Sequence, residues 1–157
     1  MRVRATYSQN SENKMGKFRL GTEEIKYMTL FETLTGARVK DCVQVQNAMG
    51  FLVNEGDMGL AIGKNGSNIG KVRNVIGKSI FVMEFSDSLN EFIRNLFRPI
   101  KTKQIRVYKL NNEKIADINI NKRDRKKAIG QEGVRIKIAK ELSKRHYGID
   151  NINIKVV

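Results

Sequence analysis

Apolar residues near the start of the chain recur every three or four positions, the spacing of one face of an amphipathic helix. The positions concerned are Ile25, Met28, Phe31 and Leu34. Thr22 precedes them and is expected to cap the helix, because its hydroxyl can accept a hydrogen bond from a first-turn N–H. Gly36 follows them and is expected to end the helix in a left-handed conformation.

The next stretch alternates apolar and polar residues, which predicts strands. In the first strand, Val39 to Val45, one face is expected to carry Val39, Asp41, Val43 and Val45, and the other Lys40, Cys42 and Gln44. A turn from Asn47 to Gly50 and a second strand from Phe51 to Val53 follow. These elements predict a hairpin behind the first helix.

Helical spacing then returns around a Gly-x-x-Gly sequence. Asp57 is expected to cap a short helix, Met58 to Ile62, and a second helix after Gly66 places Ile69, Val72, Val75 and Ile76 on one face. Gly77 is expected to stop it, and a third strand runs from Ser79 to Phe85. The predicted order is helix, strand, strand, helix, turn, helix, strand.

The second half of the chain repeats this order. Ser88 and Glu91 have the spacing of a capping box, and Pro99 ends the helix that they open. The elements after it are predicted as strands at 105–110 and 115–120 joined by a turn at Asn111-Asn112, helices at 122–129 and about 134–147, and a strand at 152–156. Residues 1–17 are polar and aperiodic and are expected to form a flexible tail. We therefore predict a first domain at 18–86 and a second at 87–157.

Two short sequences occupy equivalent places in the repeat, Ala61-Ile-Gly-Lys-Asn-Gly66 and Ala128-Ile-Gly-Gln-Glu-Gly133. Glycines let the backbone N–H groups of such a turn approach an anion closely, and the following helix adds its positive end. A single Gly-x-x-Gly is a weak signal, but two copies in the same element order are much more specific.

Charge indicates which anion the turns would meet. The chain has 157 residues, 30 Lys and Arg against 16 Asp and Glu, and a formal net charge of +14. Such an excess favours nucleic-acid phosphate. A membrane surface is less favoured, because there is no Trp and no apolar run long enough to span a bilayer. Cys42 is the only cysteine, which excludes an internal disulfide and suits a reducing cytoplasm.

The repeated module resembles the type II, prokaryotic-style KH domain, and two in tandem are similar to the archaeal NusA-like family. The resemblance covers about residues 20–157 and is carried by 23–36, 61–66 and 128–142. It implies an α+β fold of two three-stranded sheets packed with helices. It also implies binding of single-stranded RNA in transcription elongation or termination. Bacterial members add a polymerase-binding domain and an OB-type domain; this chain has room for neither, so a contact with RNA polymerase is left open.

The expected RNA-binding residues lie in and beside the two turns. In the first module they are Ile62, Gly63, Lys64, Asn65, Gly66, Lys71 and Arg73, and in the second Lys126, Lys127, Ile129, Gly130, Gln131, Glu132, Gly133 and Arg135. Ile62 and Ile129 would line an apolar groove for bases, or simply belong to the core. Glu132 departs from the basic pattern, so the second turn could instead be kept for structure. Tyr108 is the best candidate for aromatic stacking.

Catalytic and metal-dependent functions are not expected. Cys42 and His146 are linked by no motif, and no Cys/His cluster offers four zinc ligands. The sequences at 59–64 and 66–71 have three residues between their glycines where a P-loop has four. No cofactor, metal or enzymatic activity is predicted. A role in ribosome assembly or RNA decay, a protein-interaction scaffold, and an enzyme acting on RNA remain as alternatives.

Overall fold

The computed structural model describes residues 21–157, so the predicted tail at 1–17 lies outside the described residues. The helices are α1 (Thr22–Thr35), α2 (Met58–Ile62), α3 (Ser67–Ile76), α4 (Leu89–Leu96), α5 (Arg125–Ile129) and α6 (Val134–Tyr147). The strands are β1 (Val39–Val45), β2 (Ala48–Val53), β3 (Ser79–Glu84), β4 (Gln104–Leu110), β5 (Glu113–Ile120) and β6 (Asn151–Val156). Single turns of 3₁₀ helix precede α3, α5 and α6.

The predicted repeat of elements is confirmed. The first module, α1 to β3, contains a three-stranded sheet in the order β1-β2-β3, and the second module, α4 to β6, one in the order β4-β5-β6. In each sheet the first two strands pair antiparallel and the last two pair parallel. A parallel partner requires a crossover, and the two helices around each Gly-x-x-Gly turn provide it. The fold is the expected α+β arrangement.

The two modules share a core. One face of the first sheet packs on its own helices, where the rings of Phe31 and Phe51 stack with centroids 4.4 Å apart. The other face carries Val43, Leu52 and Met83, which pack in one cluster with α4, α6 and the second sheet. The long helix of the second module therefore covers the first module's sheet, and the modules form one packed body.

Gly50 lies within β2, so the predicted turn from Asn47 to Gly50 was too long. A Cβ on Gly50 would overlap Cγ2 of Ile138 from α6. The glycine serves the close approach of the two modules, and its turn-like character in the sequence was misleading.

Three smaller expectations were also wrong. Thr22 is the first helical residue, and Gly21 holds the cap position. Asp57 holds the cap position of α2 as expected, but its side chain does not cap the helix, because its carboxylate accepts from the backbone N–H of Arg38 at 2.8 Å. A bulge between Val39 and Asp41 turns Val39 toward its own module's core, away from the face that carries Val43. The cap at Ser88 is confirmed, with Oγ accepting from Glu91 N at 3.5 Å.

Candidate nucleic-acid interface

The two Gly-x-x-Gly turns have almost the same backbone conformation. The first glycine has φ and ψ of 77° and 170° at Gly63, and of 82° and 167° at Gly130. This region of backbone space is essentially limited to glycine. A Cβ would also lie 2.7 Å from the backbone N of Asn68 in the first turn, and 2.8 Å from that of Arg135 in the second. Both first glycines are therefore required by conformation and by space.

The third position of each turn is left-handed, with φ of 54° at Asn65 and 56° at Glu132. Asparagine tolerates this conformation well, whereas glutamate does so less readily. Each turn is then closed by a backbone hydrogen bond, from Gly66 N to Gly63 O at 3.1 Å and from Gly133 N to Gly130 O at 3.0 Å. The first N–H groups of α3 and α6, those of Ser67 and Val134, also donate back into the turns, to the carbonyls of Lys64 and Gln131.

Neither of these helices has a side-chain cap. Gly66 and Gly133 occupy the cap positions, and neither has a side chain to accept a hydrogen bond from the first turn. The first N–H groups of a helix have no partner within the helix, and its dipole places partial positive charge there. Each turn therefore offers a positive helix end to an anion.

Most of the other predicted site residues lie in or next to the two turns, whereas Lys71 and Arg73 lie farther along α3, with Arg73 in its last turn. The exposed ones are Lys64, Asn65, Lys71, Arg73, Lys126, Lys127, Gln131 and Glu132. Ile62 and Ile129 are half-buried and directly follow a buried alanine, so each presents an apolar edge beside its turn. The segment leading into the second turn is strongly basic, since Lys122, Arg123, Arg125, Lys126 and Lys127 are all exposed around a half-buried Asp124.

Arg135 does not lie at the surface as predicted. Its residue is 8% exposed, and its guanidinium Nη2 donates to the carbonyl of Arg98 at 2.8 Å. The same group lies 5.6 Å above the ring of Phe81 in the first module. Burial lowers the pKa of Arg135 from its usual value, although a guanidinium stays charged at neutral pH. Its position is that of a packing residue between the modules.

Asn68 occupies the position in the first module that Arg135 occupies in the second. Its Nδ2 donates to the carbonyl of Leu60 at 2.7 Å and lies 3.4 Å from that of Thr35, the last residue of α1. Arg135 likewise reaches back to the segment after α4. Sequence reasoning missed this shared function, although the repeat aligns the two residues.

Helix α6 begins at the second turn, and its C-terminal end is fixed to the first module. Asp41 on β1 is fully buried and accepts from Arg145 Nη1 at 2.9 Å, and it lies 2.8 Å from His146 Nε2. Burial alone would lower the pKa of Arg145, but the carboxylates of Asp41 and Glu141 raise it. Tyr147 donates from its hydroxyl to the carbonyl of Ser86 at 2.6 Å. These contacts hold the two modules, and with them the two turns, in one arrangement.

Two further residues considered from the sequence, Cys42 and Tyr108, lie outside the turns. Cys42 is fully buried, and burial raises the pKa of its thiol well above the usual range, with the neighbouring Asp41 adding to the effect. Tyr108 is half-buried on the second sheet. Among residues 21–157 no group of three His, Cys, Asp or Glu side chains is placed to hold a metal ion. No helix in the described part of the chain is long and apolar enough to cross a membrane.

Comparison with known proteins agrees with this geometry. The KH-domain family model matches residues 24–108, and the model for a NusA-like second KH domain matches residues 89–156. A protein from Methanocaldococcus jannaschii, named probable transcription termination protein NusA, is 37% identical over 142 residues, covering 90% of this chain and 78% of its own. A protein of the same name from Halobacterium salinarum is 32% identical, covering 87% of this chain and 97% of its own. The crystal structure of APE1850 matches with a TM-score of 0.71 and 33% identity, covering 87% of this chain and 100% of that one.

Proposed function

Because this chain belongs to the KH-domain family and, within it, to the NusA-like proteins of archaea, we propose that it binds single-stranded RNA through its two Gly-x-x-Gly turns and acts in transcription elongation and termination. The observation that carries the proposal is the matching conformation of the two turns, each opening an uncapped helix. A KH module clamps the backbone of about four nucleotides at such a turn.

The first turn is the stronger of the two candidate clamps. RNA phosphates would be attracted to the positive N-terminal end of α3, while Lys64 adds a charge-assisted contact. Ile62 lies beside the turn and offers an apolar surface to a base. Lys71 and Arg73, exposed on α3, extend the positive surface beyond the turn. The backbone clamp has no sequence preference, so we expect selectivity to come from the base edges.

The second turn is electrostatically weaker, because Glu132 is exposed at its third position. Its carboxylate would repel the phosphates that the α6 N-terminus attracts. The exposed cations of the preceding segment, Lys126 and Lys127 among them, offset this repulsion. Arg135 is left out of the proposed RNA contacts, since its guanidinium is engaged with the Arg98 carbonyl.

Joining both turns to one packed body increases the affinity for a long RNA. Once one turn has bound, the other meets the same strand at a high effective concentration. The fixed arrangement of the modules, held by α6, also avoids the entropy cost of ordering two loosely linked domains. A transcript long enough to reach both turns should therefore bind much more tightly than a fragment that reaches one.

The experiment is a salt series of affinities for a single-stranded RNA of about 25 nucleotides, comparing wild type with Lys64→Asp/Asn65→Asp and with Gln131→Asp. Phosphate contacts release counterions, so affinity should fall steeply with salt and less steeply in the first variant. Lys26→Asp, on the exposed surface of α1, controls for two of the three units of charge that the first variant changes. If the wild type binds no RNA, or if the turn variants bind like the control, the proposal fails and a protein-interaction scaffold is favoured.

We extend the proposal to a direct contact with RNA polymerase, since a factor that acts on elongation works at the transcribing enzyme. The test is binding of the purified chain to purified polymerase in the absence of RNA. Binding that persists after nuclease treatment supports the extension. Binding that appears only with a transcript would mean that RNA alone brings the two together.

A further inference from the structure

The two modules differ in what covers their sheets. In the first module, the sheet face turned away from its own helices is covered by α6 of the second. The equivalent face of the second sheet has no such cover among the described residues. It carries Gln104, Arg106 and Tyr108 on β4, Ile115, Asp117 and Asn119 on β5, and Asn151, Asn153 and Lys155 on β6. We call these nine residues the open face.

The open face is polar and internally ordered. Asp117, only 6% exposed, accepts from Asn153 Nδ2 at 3.0 Å and from the Tyr108 hydroxyl at 3.3 Å, and its other oxygen lies 3.2 Å from Lys155 Nζ. Asn119 Nδ2 donates to Gln104 Oε1 at 3.3 Å. The one carboxylate of the face is therefore neutralised by its neighbours, and it holds the Tyr108 ring in place.

Arg106 completes this arrangement. Its guanidinium lies 4.7 Å above the Tyr108 ring centroid, while the residue as a whole is exposed. A guanidinium held over an aromatic ring gives a planar, positively charged surface on which a nucleobase can stack. The exposed amide of Gln104, on the same strand, can form hydrogen bonds with base edges.

The charge along β4 favours the same class of ligand. This strand lies at the edge of its sheet, and residues 101–112 contain Lys101, Lys103, Arg106 and Lys109 but no acid. All four cations are exposed. A protein interface would need an apolar centre, whereas the apolar Ile115 of this face is 7% exposed. A polar surface with a stacking group and a basic edge is typical of sites for single-stranded nucleic acid.

We propose that the open face is a second RNA-binding surface, which contacts single-stranded RNA by stacking a base on Arg106 over Tyr108 while the exposed cations in and just before β4 attract its phosphates. It rests on the proposed function, since it extends the path of an RNA already held at the turns. An RNA strand long enough to extend beyond the turns would gain affinity from the open face, without any change in the turns themselves.

The test uses the whole chain and the same RNA of about 25 nucleotides. Arg106→Gln should weaken binding by about fivefold or more, the lower range for one stacked base, and reduce the magnitude of the salt slope by about one. Arg38→Gln removes an exposed arginine of the first module that belongs neither to the predicted turn residues nor to the open face, and it should change little. Tyr108→Phe keeps the ring but loses the Asp117 bond, and should retain most of the affinity.

Ultraviolet crosslinking of the wild-type complex, followed by mass spectrometry, gives a second measurement that needs no variant. RNA crosslinked within residues 104–110 supports the proposal. If Arg106→Gln binds like Arg38→Gln and no crosslink maps to β4, the open face does not bind RNA. If the turn variants still lose affinity in that case, RNA binding at the turns stands and only the open-face proposal fails. If the wild type binds no RNA at all, both proposals fail.

Discussion

Arg145, near the end of the last helix, donates to the carboxylate of Asp41 on the first strand at 2.9 Å and so joins the two ends of the fold. Asp41 is fully buried, and the same carboxylate also accepts from the backbone N–H of Cys42 at 2.7 Å. A buried carboxylate with this many partners is costly to alter, because each partner would lose its hydrogen bond. The contact lies far from both turns along the chain, yet it helps to set their relative position.

We expect Asp41→Asn to lower the free energy of unfolding by at least about 2 kcal/mol, since it leaves the Arg145 charge without its buried partner. Chemical denaturation followed by circular dichroism measures the free energy of unfolding of the variant and of the wild type. Lys144→Gln, which removes an exposed pair with Asp150 at 3.9 Å, is the control and should change stability little. Equal stability of the two variants would mean that the Asp41 contact does not hold the modules together.

Gly50→Ala should destabilise the protein by about 1–3 kcal/mol, because the added methyl group would overlap Ile138 across the module interface. The matched control is Gly59→Ala in α2, where a Cβ meets nothing within 4 Å and a helical alanine is favoured. In an Ile138→Ala background the same Gly50→Ala change should cost clearly less, which a double-mutant cycle measures. Additive effects would contradict the assigned contact.

Glu132→Asn should increase affinity for single-stranded RNA by several-fold, because it removes a negative charge from the second turn. It also reproduces the residue found at the equivalent position of the first turn, and asparagine suits the φ of 56° there. Fluorescence anisotropy at low salt gives the affinity. Glu55→Gln, an exposed acid before α2, controls for net charge. An unchanged affinity for Glu132→Asn would mean that RNA does not reach the second turn.

The stability of the second sheet should depend on acid pH through Asp117. Burial alone would raise the pKa of Asp117, but hydrogen bonds from Asn153, Lys155 and Tyr108 lower it below its usual value. A lowered folded-state pKa means that the stabilisation is present above the unfolded pKa of about 4 and is lost as the pH falls through the folded value. Unfolding measured from pH 6 to pH 2 should therefore show a loss that Asp117→Asn lacks. If stability falls with pH equally in the wild type and in Asp117→Asn, Asp117 is not the source of the loss.

Local pattern alone predicted most of the elements. The spacing of Ile69 and Val72 located α3, the Ser88 cap located α4, and the second copy of Gly-x-x-Gly revealed the repeat. These predictions were right because helical spacing, caps and turn glycines act between residues close in sequence. The same local patterns also predicted the turn residues that the structure places at two uncapped helix ends.

What the sequence by itself determined is therefore the order of the elements, the two glycine turns and the excess of positive charge. Only the tertiary structure decided that Gly50 serves a contact with Ile138, that Arg135 is buried against Arg98, and that Asp41 receives Arg145. It also decided that one sheet face is covered and its equivalent left open. The physical reason is that each of these contacts joins residues distant in the chain, so no local period or motif encodes which partner packs against which.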